Sequence, residues 1–419
     1  MTRIAIVAGG GPAPGINAVI GAVTLSALDK GWEVLGIYDG YAGLLPGGRI
    51  EPLVREQVRT IHFQGGIILN TSRTNLSRSP ENLEQAAKTV REQNIDMLVT
   101  IGGDDTAFGA SELARTVEGL QIVHCPKTID NDLPLPGDTP TFGYNTARHI
   151  GTKQVHALIE DASATNRWYI AVAMGRTAGH LALGIANAAG AAACIVPEEF
   201  DGRKVKLSEV ADLLEATAIK EMAAGKPFGV AVLAEGVAEA LDPDDLASFG
   251  DVPRDDFGHV RLGEIDFGRM MCQRLEANFK AMGVKKRFVD LKIGYELRCA
   301  APIPFDMEYC RMLGSNAVQF LATGGSHAIM NLANGEPAPI PFSEVRDPVS
   351  GRTAVRRVDL DSGAYRTARR FMRRLERADL ADDAKVGRMA TEVGLSADAF
   401  RERYSYLVAG DPEHWDWRA

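Results

Sequence analysis

The sequence predicts an α/β fold: two three-layer domains built on parallel sheets, then a C-terminal, mostly helical extension. Three observations carry this. Short apolar-rich runs such as Arg3–Ala8, Met97–Ile101 and Trp168–Ala173 read as strands buried on both faces. These runs alternate with segments of helical pattern, which implies a parallel sheet covered by helices on both sides. The 419 residues, at about 150 per domain, give two or three domains.

Taken in order, Arg3–Ala8 is the first strand, followed by a glycine-rich turn and a helix over about Ile16–Lys30. Glu33–Tyr38 is a second strand. Ser79-Pro80-Glu81 is a good helix start, with serine as cap and proline in the first turn. That helix runs to about Gln93 and feeds strand Met97–Ile101. A helix over about Asp105–Val117, a strand Gln121–Cys125 and a proline- and aspartate-rich loop, Pro126–Pro140, follow. A polar helix over about Asn145–Asp161 leads as a hinge into a second α/β region. Its strands are Trp168–Ala173, Cys194–Val196 and Phe228–Ala234, with a helix near Ser208–Ala224. Ala178–Pro197 has the length of a membrane span and no Asp, Glu, Lys or Arg, yet His180, Asn187, three glycines and a closing proline favour a buried helix and strand. Ala240–Arg261, rich in Asp, Pro and Gly, reads as a surface excursion. A helix Met307–Leu321 and an apolar stretch His327–Leu332 come next. From about Gly335 the tail carries Arg/Glu-rich helical segments, Tyr365–Ala378 and Thr391–Tyr404, expected to serve packing or oligomer contacts.

Hydrophobic content of 45% and charge of 24% are those of a soluble globular protein. A net charge of -9 argues against nucleic-acid binding, and an anionic substrate would need a local basic patch against that sign. The five cysteines are odd in number and form no CxxC pair, which disfavours disulfides and zinc and fits a reducing cytoplasm. The eight histidines show no ligand spacing such as HxxxH. The chain enters a strand-like run at once, so no signal peptide is expected, and no membrane association.

The chemistry is concentrated in two stretches, Gly102-Gly103-Asp104-Asp105-Thr106 and Pro126-Lys127-Thr128-Ile129-Asp130-Asn131-Asp132. Each follows an apolar run, where an open α/β sheet builds its site just past the carboxyl ends of strands. Together they place four carboxylates and Lys127 around a glycine-rich turn, the equipment of Mg²⁺-assisted phosphoryl transfer. A further turn, Gly9-Gly10-Gly11-Pro12-Ala13-Pro14-Gly15-Ile16-Asn17, offers backbone N–H groups and a helix N-terminus to a phosphate. It is not GxGxxG, which disfavours a nicotinamide dehydrogenase.

These motifs, in this order, resemble the phosphofructokinase family over roughly residues 3 to 330, and Asp105 with Lys127 resembles its pyrophosphate-dependent members. ATP-dependent relatives usually carry glycine at both positions. The resemblance implies two Rossmann-like domains of the phosphofructokinase fold: a phosphoryl-donor and Mg²⁺ domain (1–144 plus about 300–334), a sugar-phosphate domain (145–299) and the extension 335–419. It places Gly10, Gly11, Arg73 and Thr106 on the donor side and Asp104 on Mg²⁺. Asp105 would occupy the space of the ATP α-phosphate, and two charges ~4 Å apart repel by about 4 kcal/mol at an effective dielectric of ~20. Lys127 would offset charge on the transferring group. Asp130 would be the general base toward a sugar hydroxyl, with Asp132 a supporting carboxylate and Thr128-Ile129-Asp130 in contact with the sugar phosphate. Met174-Gly175-Arg176 matches the acceptor-sugar motif and Glu235 its substrate carboxylate. Tyr295 and Arg298 match the grip on the 6-phosphate. Arg167 matches an arginine that family members reach across a subunit boundary, which implies a homodimer or homotetramer. Pro12 stands where many relatives carry Asp, Asn70 where glycine is usual, and Ile159 where many carry an effector-site arginine. The implied substrates are pyrophosphate and fructose 6-phosphate, with reversible turnover. The alternatives are ATP as donor, sedoheptulose 7-phosphate as a further acceptor, or a non-catalytic regulatory subunit.

Overall fold

The structure is a computed structural model. It describes residues 1–76, 79–137, 139–200, 202–247, 265–345 and 354–411. In chain order the strands are β1 (Arg3–Ala8), β2 (Glu33–Ile37), β3 (Ile50–Pro52), β4 (Met97–Gly102), β5 (Gln121–Thr128), β6 (Phe142–Gly143), β7 (Trp168–Ala173), β8 (Ala193–Ile195), β9 (Gly229–Ala234), β10 (Phe288–Ile293), β11 (Ala328–Ile329), β12 (Leu332–Ala333), β13 (Glu336–Pro337) and β14 (Ile340–Pro341). The chain forms two compact units, Met1–Ala147 with Tyr295–Arg356, and Arg148–Gly294 with Arg357–Ala419.

The first unit is built on a sheet of order β14-β11-β5-β4-β1-β2-β3, with β6 beside the end of β5. β1 runs parallel to both β2 and β4, β4 to β5, and β5 to β11, while β3 and β14 close the edges antiparallel. On one face Ala5, Val7, Ile37 and Leu98 pack with Ala86, Val90, Ala110 and Leu113 from the helices Pro80–Glu92 and Asp104–Thr116. Ile4 and Ile6, which alternate to the other face, are equally buried, so the sheet is covered on both sides. After β1 the chain pairs β2 on one side and returns to place β4 on the other. This reversal makes the carboxyl ends of β1 and β4 the crevice of the sheet.

The second unit holds a wholly parallel sheet of order β10-β7-β9-β8. Helix His180–Ala189 and strand β8 account for the charge-free stretch 178–197, with Gly190 in the left-handed conformation ending the helix. The tail is tied down by ion pairs. Asp379, almost fully buried, meets Lys220 at 2.5 Å and Lys385 at 2.9 Å, and the buried Glu215 meets Arg403 at 2.7 Å. Arg373 meets Glu221 at 2.5 Å, and Arg374 pairs with Glu199. Lys220, Glu215 and Glu221 all lie on helix Leu207–Ala223.

Several expectations need amending. β5 does not stop at Cys125 but runs to Thr128, because β6 pairs with Lys127 and Thr128. The residues from 335 on do not form a body of their own: those up to Arg356 join the first unit and those from Arg357 the second. The tail segments are broken. Met372 is extended after helix Gly363–Phe371, and Gly394, at φ 66°, separates helix Asp383–Glu392 from Ala397–Tyr404. Of the excursion 240–261, Pro243–Ala247 forms a short helix and 248–261 lie outside the described residues. Helix Phe267–Ala281 and strand β10 add to the elements expected from the sequence.

Candidate active site

The first unit gathers the residues expected on the donor side at the crevice of its sheet. Gly9 N–H donates to Ile101 O at 2.8 Å, which joins the ends of β1 and β4. Gly10 has φ +77°, a conformation that glycine adopts without cost. Its N–H donates to Ser72 O at 3.0 Å, and Thr71 Oγ1 donates to Gly10 O at 2.7 Å, so the segment bearing the exposed Arg73 lies along the turn. Asn70 has φ +53°. This left-handed geometry explains how asparagine stands where glycine is usual.

After β4, Gly103 caps helix Asp104–Thr116 and puts Asp104 and Asp105 in its first turn, both exposed. Thr106 points the other way: it is buried, and a Cβ on Gly9 or Gly102 would meet its side chain at 2.6 Å or 2.3 Å. Tyr41 Oη donates to Thr106 O at 2.8 Å from beneath. Thr106 thus supports the turn from below.

Lys127 was expected in a loop; it is instead at the end of β5 and 6% exposed. Its Nζ donates to Gly11 O at 2.5 Å and lies 3.5 Å from where a Gly10 Cβ would stand. Burial, and then the Arg298 guanidinium, pull its pKa down to about 8, against the opposing pull of Asp130, Asp104 and Asp132. One ammonium therefore senses three of the four carboxylates that the motifs supply. Next to it, His124 is fully buried; its Nδ1 lies 2.8 Å from Thr100 Oγ1 and its Nε2 3.0 Å from Gly102 O. Burial lowers this histidine to about 3, so it stays neutral and holds the end of β4.

Beyond β5, Asp130 N–H donates to Thr128 Oγ1 at 3.0 Å, and Ile129 is buried. Asp130 and Asp132 are half-buried. A residue that the motifs did not reveal, Arg356, bonds to this loop through Asn131 and Thr139. Tyr295 and Arg298 form a single helical turn and belong to the first unit; the Arg298 guanidinium lies beside Gly11, 3.5 Å from where its Cβ would stand. The turn directly follows β10, which is why sequence position alone had grouped it with the second domain.

In the second unit the carboxyl ends of β7 and β9 are brought together. Met174 N–H donates to Ile293 O at 2.9 Å, Glu235 N–H to Ala173 O at 2.8 Å, and Gly236 N–H to Gly175 O at 3.0 Å. Gly175 has φ +134°, and Arg176 after it is exposed. Arg167 stands apart. It precedes β7, at the opposite end of the six-residue strand from Met174, with Asp161 4.0 Å from its Nε.

Among the described residues no three His, Cys, Asp or Glu side chains converge as a metal cage. Mg²⁺ needs no such cage: one or two carboxylates plus phosphate oxygens suffice. An exposed Asp104, with Asp130 and Asp132 within electrostatic reach of the same lysine, fits that donor set.

The phosphofructokinase family model matches residues 3–321. The chain belongs to the phosphofructokinase family. A Thermotoga maritima phosphofructokinase relative, named pyrophosphate–fructose 6-phosphate 1-phosphotransferase, is 46% identical over 410 residues, covering 96% of this chain and 98% of that protein. One of the same name from Naegleria fowleri is 42% identical over 417 residues, 97% and 95% of the two chains. The crystal structure of a pyrophosphate-dependent phosphofructokinase from Marinobacter aquaeolei shares the fold, with a TM-score of 0.66 at 15% identity over 98% of this chain and 93% of that one. The family model stops before the tail, whereas the match to the first two phosphofructokinases runs through most of it. No described helix is long and apolar enough to cross a membrane.

Proposed function

We propose that the protein transfers a phosphoryl group reversibly from pyrophosphate to the C1 hydroxyl of fructose 6-phosphate, giving fructose 1,6-bisphosphate and orthophosphate. The observation that carries this is Lys127, buried against the Gly10–Gly11 turn where ATP-dependent relatives usually have glycine. A fixed cation there suits a donor made only of phosphates, and the 46% and 42% identical relatives carry the matching name.

The first unit holds the donor. Gly10 and Gly11 offer backbone N–H groups, Lys127 neutralises charge on the phosphates, and Arg73 flanks the turn. Arg298, beside Gly11, adds a second cation to this group or reaches the sugar 6-phosphate with Tyr295. Asp105 excludes the longer nucleotide chain by occupying and charging its path. Asp104 would hold Mg²⁺, which would supply charge neutralisation to the donor phosphates. The second unit holds the acceptor through Met174, Gly175, Arg176 and Glu235. Asp130 takes the proton from the C1 hydroxyl, assisted by Asp132, and Thr128 and Ile129 present their backbone to the sugar phosphate. The oxygen forms its bond to the terminal phosphorus as the anhydride bond breaks, and orthophosphate departs. Arg167, at the far end of β7, serves the site of a second copy, so the working form is a homodimer or homotetramer. The five unpaired cysteines suit a reducing cytoplasm.

The test is bisphosphate formation from fructose 6-phosphate with either pyrophosphate or ATP. Turnover with pyrophosphate, abolished nearly completely in Asp130→Ser with sugar-phosphate binding retained, is expected. Turnover with ATP alone would overturn the donor reading.

A further inference from the structure

We propose that Arg356 is a positioning residue for the general base: it holds the loop carrying Asp130 and Asp132 in the geometry that the reaction needs. This rests on the role given to Asp130 above. The loop leaves β5 after Thr128, and its described residues form no helix or strand before β6. It turns at Asn131, whose φ of +57° puts Asp130 and Asp132 on either side of a left-handed residue. Such a turn needs external fixation if its carboxylates are to stay in register with the donor site.

Arg356 supplies it from 217 or more residues away in sequence. Its Nε donates to Asn131 O at 3.1 Å, its Nη1 to Thr139 O at 2.9 Å and its Nη2 to Asn131 Oδ1; its backbone N–H donates to Asp132 O at 2.7 Å. Asn131 Oδ1 also accepts Thr141 N–H at 3.0 Å. One planar fork thus gathers oxygens from both ends of the loop. A lysine, a point charge on a flexible stem, does not reproduce that. Displacing a base by about 1 Å costs ~100-fold in rate, so a clamp of this kind acts on kcat. Lys127 and the Gly10–Gly11 turn make none of these bonds, and donor affinity stays independent of it.

The experiment measures kcat, both KM values and thermal midpoints for the full-length wild type, Arg356→Ala, Arg356→Lys, Asn131→Gly and the Arg356→Ala/Asn131→Gly pair, with pyrophosphate as donor. Glycine at 131 keeps the left-handed turn and its carbonyl while removing Oδ1. In Arg356→Ala, kcat is expected to fall ~10- to 100-fold while KM for pyrophosphate stays within about two-fold. Added guanidinium ion should restore part of kcat, Arg356→Lys should recover little, and the double variant should lose less than the product of the two singles. Unchanged kcat with a lowered thermal midpoint, or multiplicative losses, would overturn the proposal. Should Arg356→Ala not fold, unchanged kcat in Asn131→Gly overturns it equally. A wild type inactive with pyrophosphate overturns the functional reading, and this proposal with it; an active wild type with an unaffected Arg356→Ala overturns this proposal alone.

Discussion

Lys127 shows how a residue's surroundings set its chemistry. Burial and the neighbouring Arg298 pull its ammonium down to about 8, although three aspartates oppose the shift. Below that pH the free protein holds the cation, and above it the lysine is neutral. The kcat/KM for pyrophosphate should therefore fall as pH rises through about 8, and donor binding should take up a proton from solution at that pH. Lys127→Met should weaken donor binding and lose this alkaline limb. A flat wild-type profile between about pH 7 and 9 would mean that the ammonium does not meet the donor. The motif showed that a lysine belongs here but not that it is buried, since Pro126 and the aspartates around it read as loop. Arg356 was illegible for another reason: no local pattern announces a side chain whose acceptors lie more than two hundred residues upstream.

The strands and helices of the first unit show which boundaries a sequence reveals. β1 and helix Pro80–Glu92 fall where the apolar run and the Ser79 cap predicted, the Ser79 hydroxyl accepting Asn82 N–H. β10 was missed because its middle residues, Val289 to Lys292, are half-buried or exposed rather than forming an apolar run; only pairing with β7 makes FVDLKI a strand. The tail helices ran together on paper because Gly394 is a lone glycine amid helix formers. The turn after β1 makes its own prediction. Thr106 fills the space beneath Gly9, so Gly9→Ala forces a Cβ to within 2.6 Å of its Oγ1 and should cost roughly 1–3 kcal/mol. In a Thr106→Ala background the nearest atoms are gone, and much of that cost should disappear. Equal losses in both backgrounds, measured by denaturant unfolding, would show that the crowding lies elsewhere.

For the molecule as a whole, Arg167 is the informative residue. β7 spans six residues, roughly 20 Å at strand rise, so Arg167 and Met174 sit too far apart to hold one sugar phosphate within a single copy. If Arg167 serves a neighbouring copy, Arg167→Ala and Asp130→Ser should complement each other. Mixed after co-expression, two nearly inactive variants should regain about a quarter of wild-type activity in a dimer, since half the pairs are hybrids with one intact site each. Activity no higher than that of the separate variants would return Arg167 to its own chain. The division of the chain also has a consequence for how it is made. β11 pairs with β5, yet about 200 residues separate Thr128 from Ala328. At ~5–20 residues per second, a ribosome leaves that edge of β5 open for about 10–40 s after the strand emerges. Neither unit can close before the other is largely synthesised, and an open strand edge invites wrong pairing. Translation speed over the second unit, more than final stability, should govern how much nascent chain reaches the native sheet.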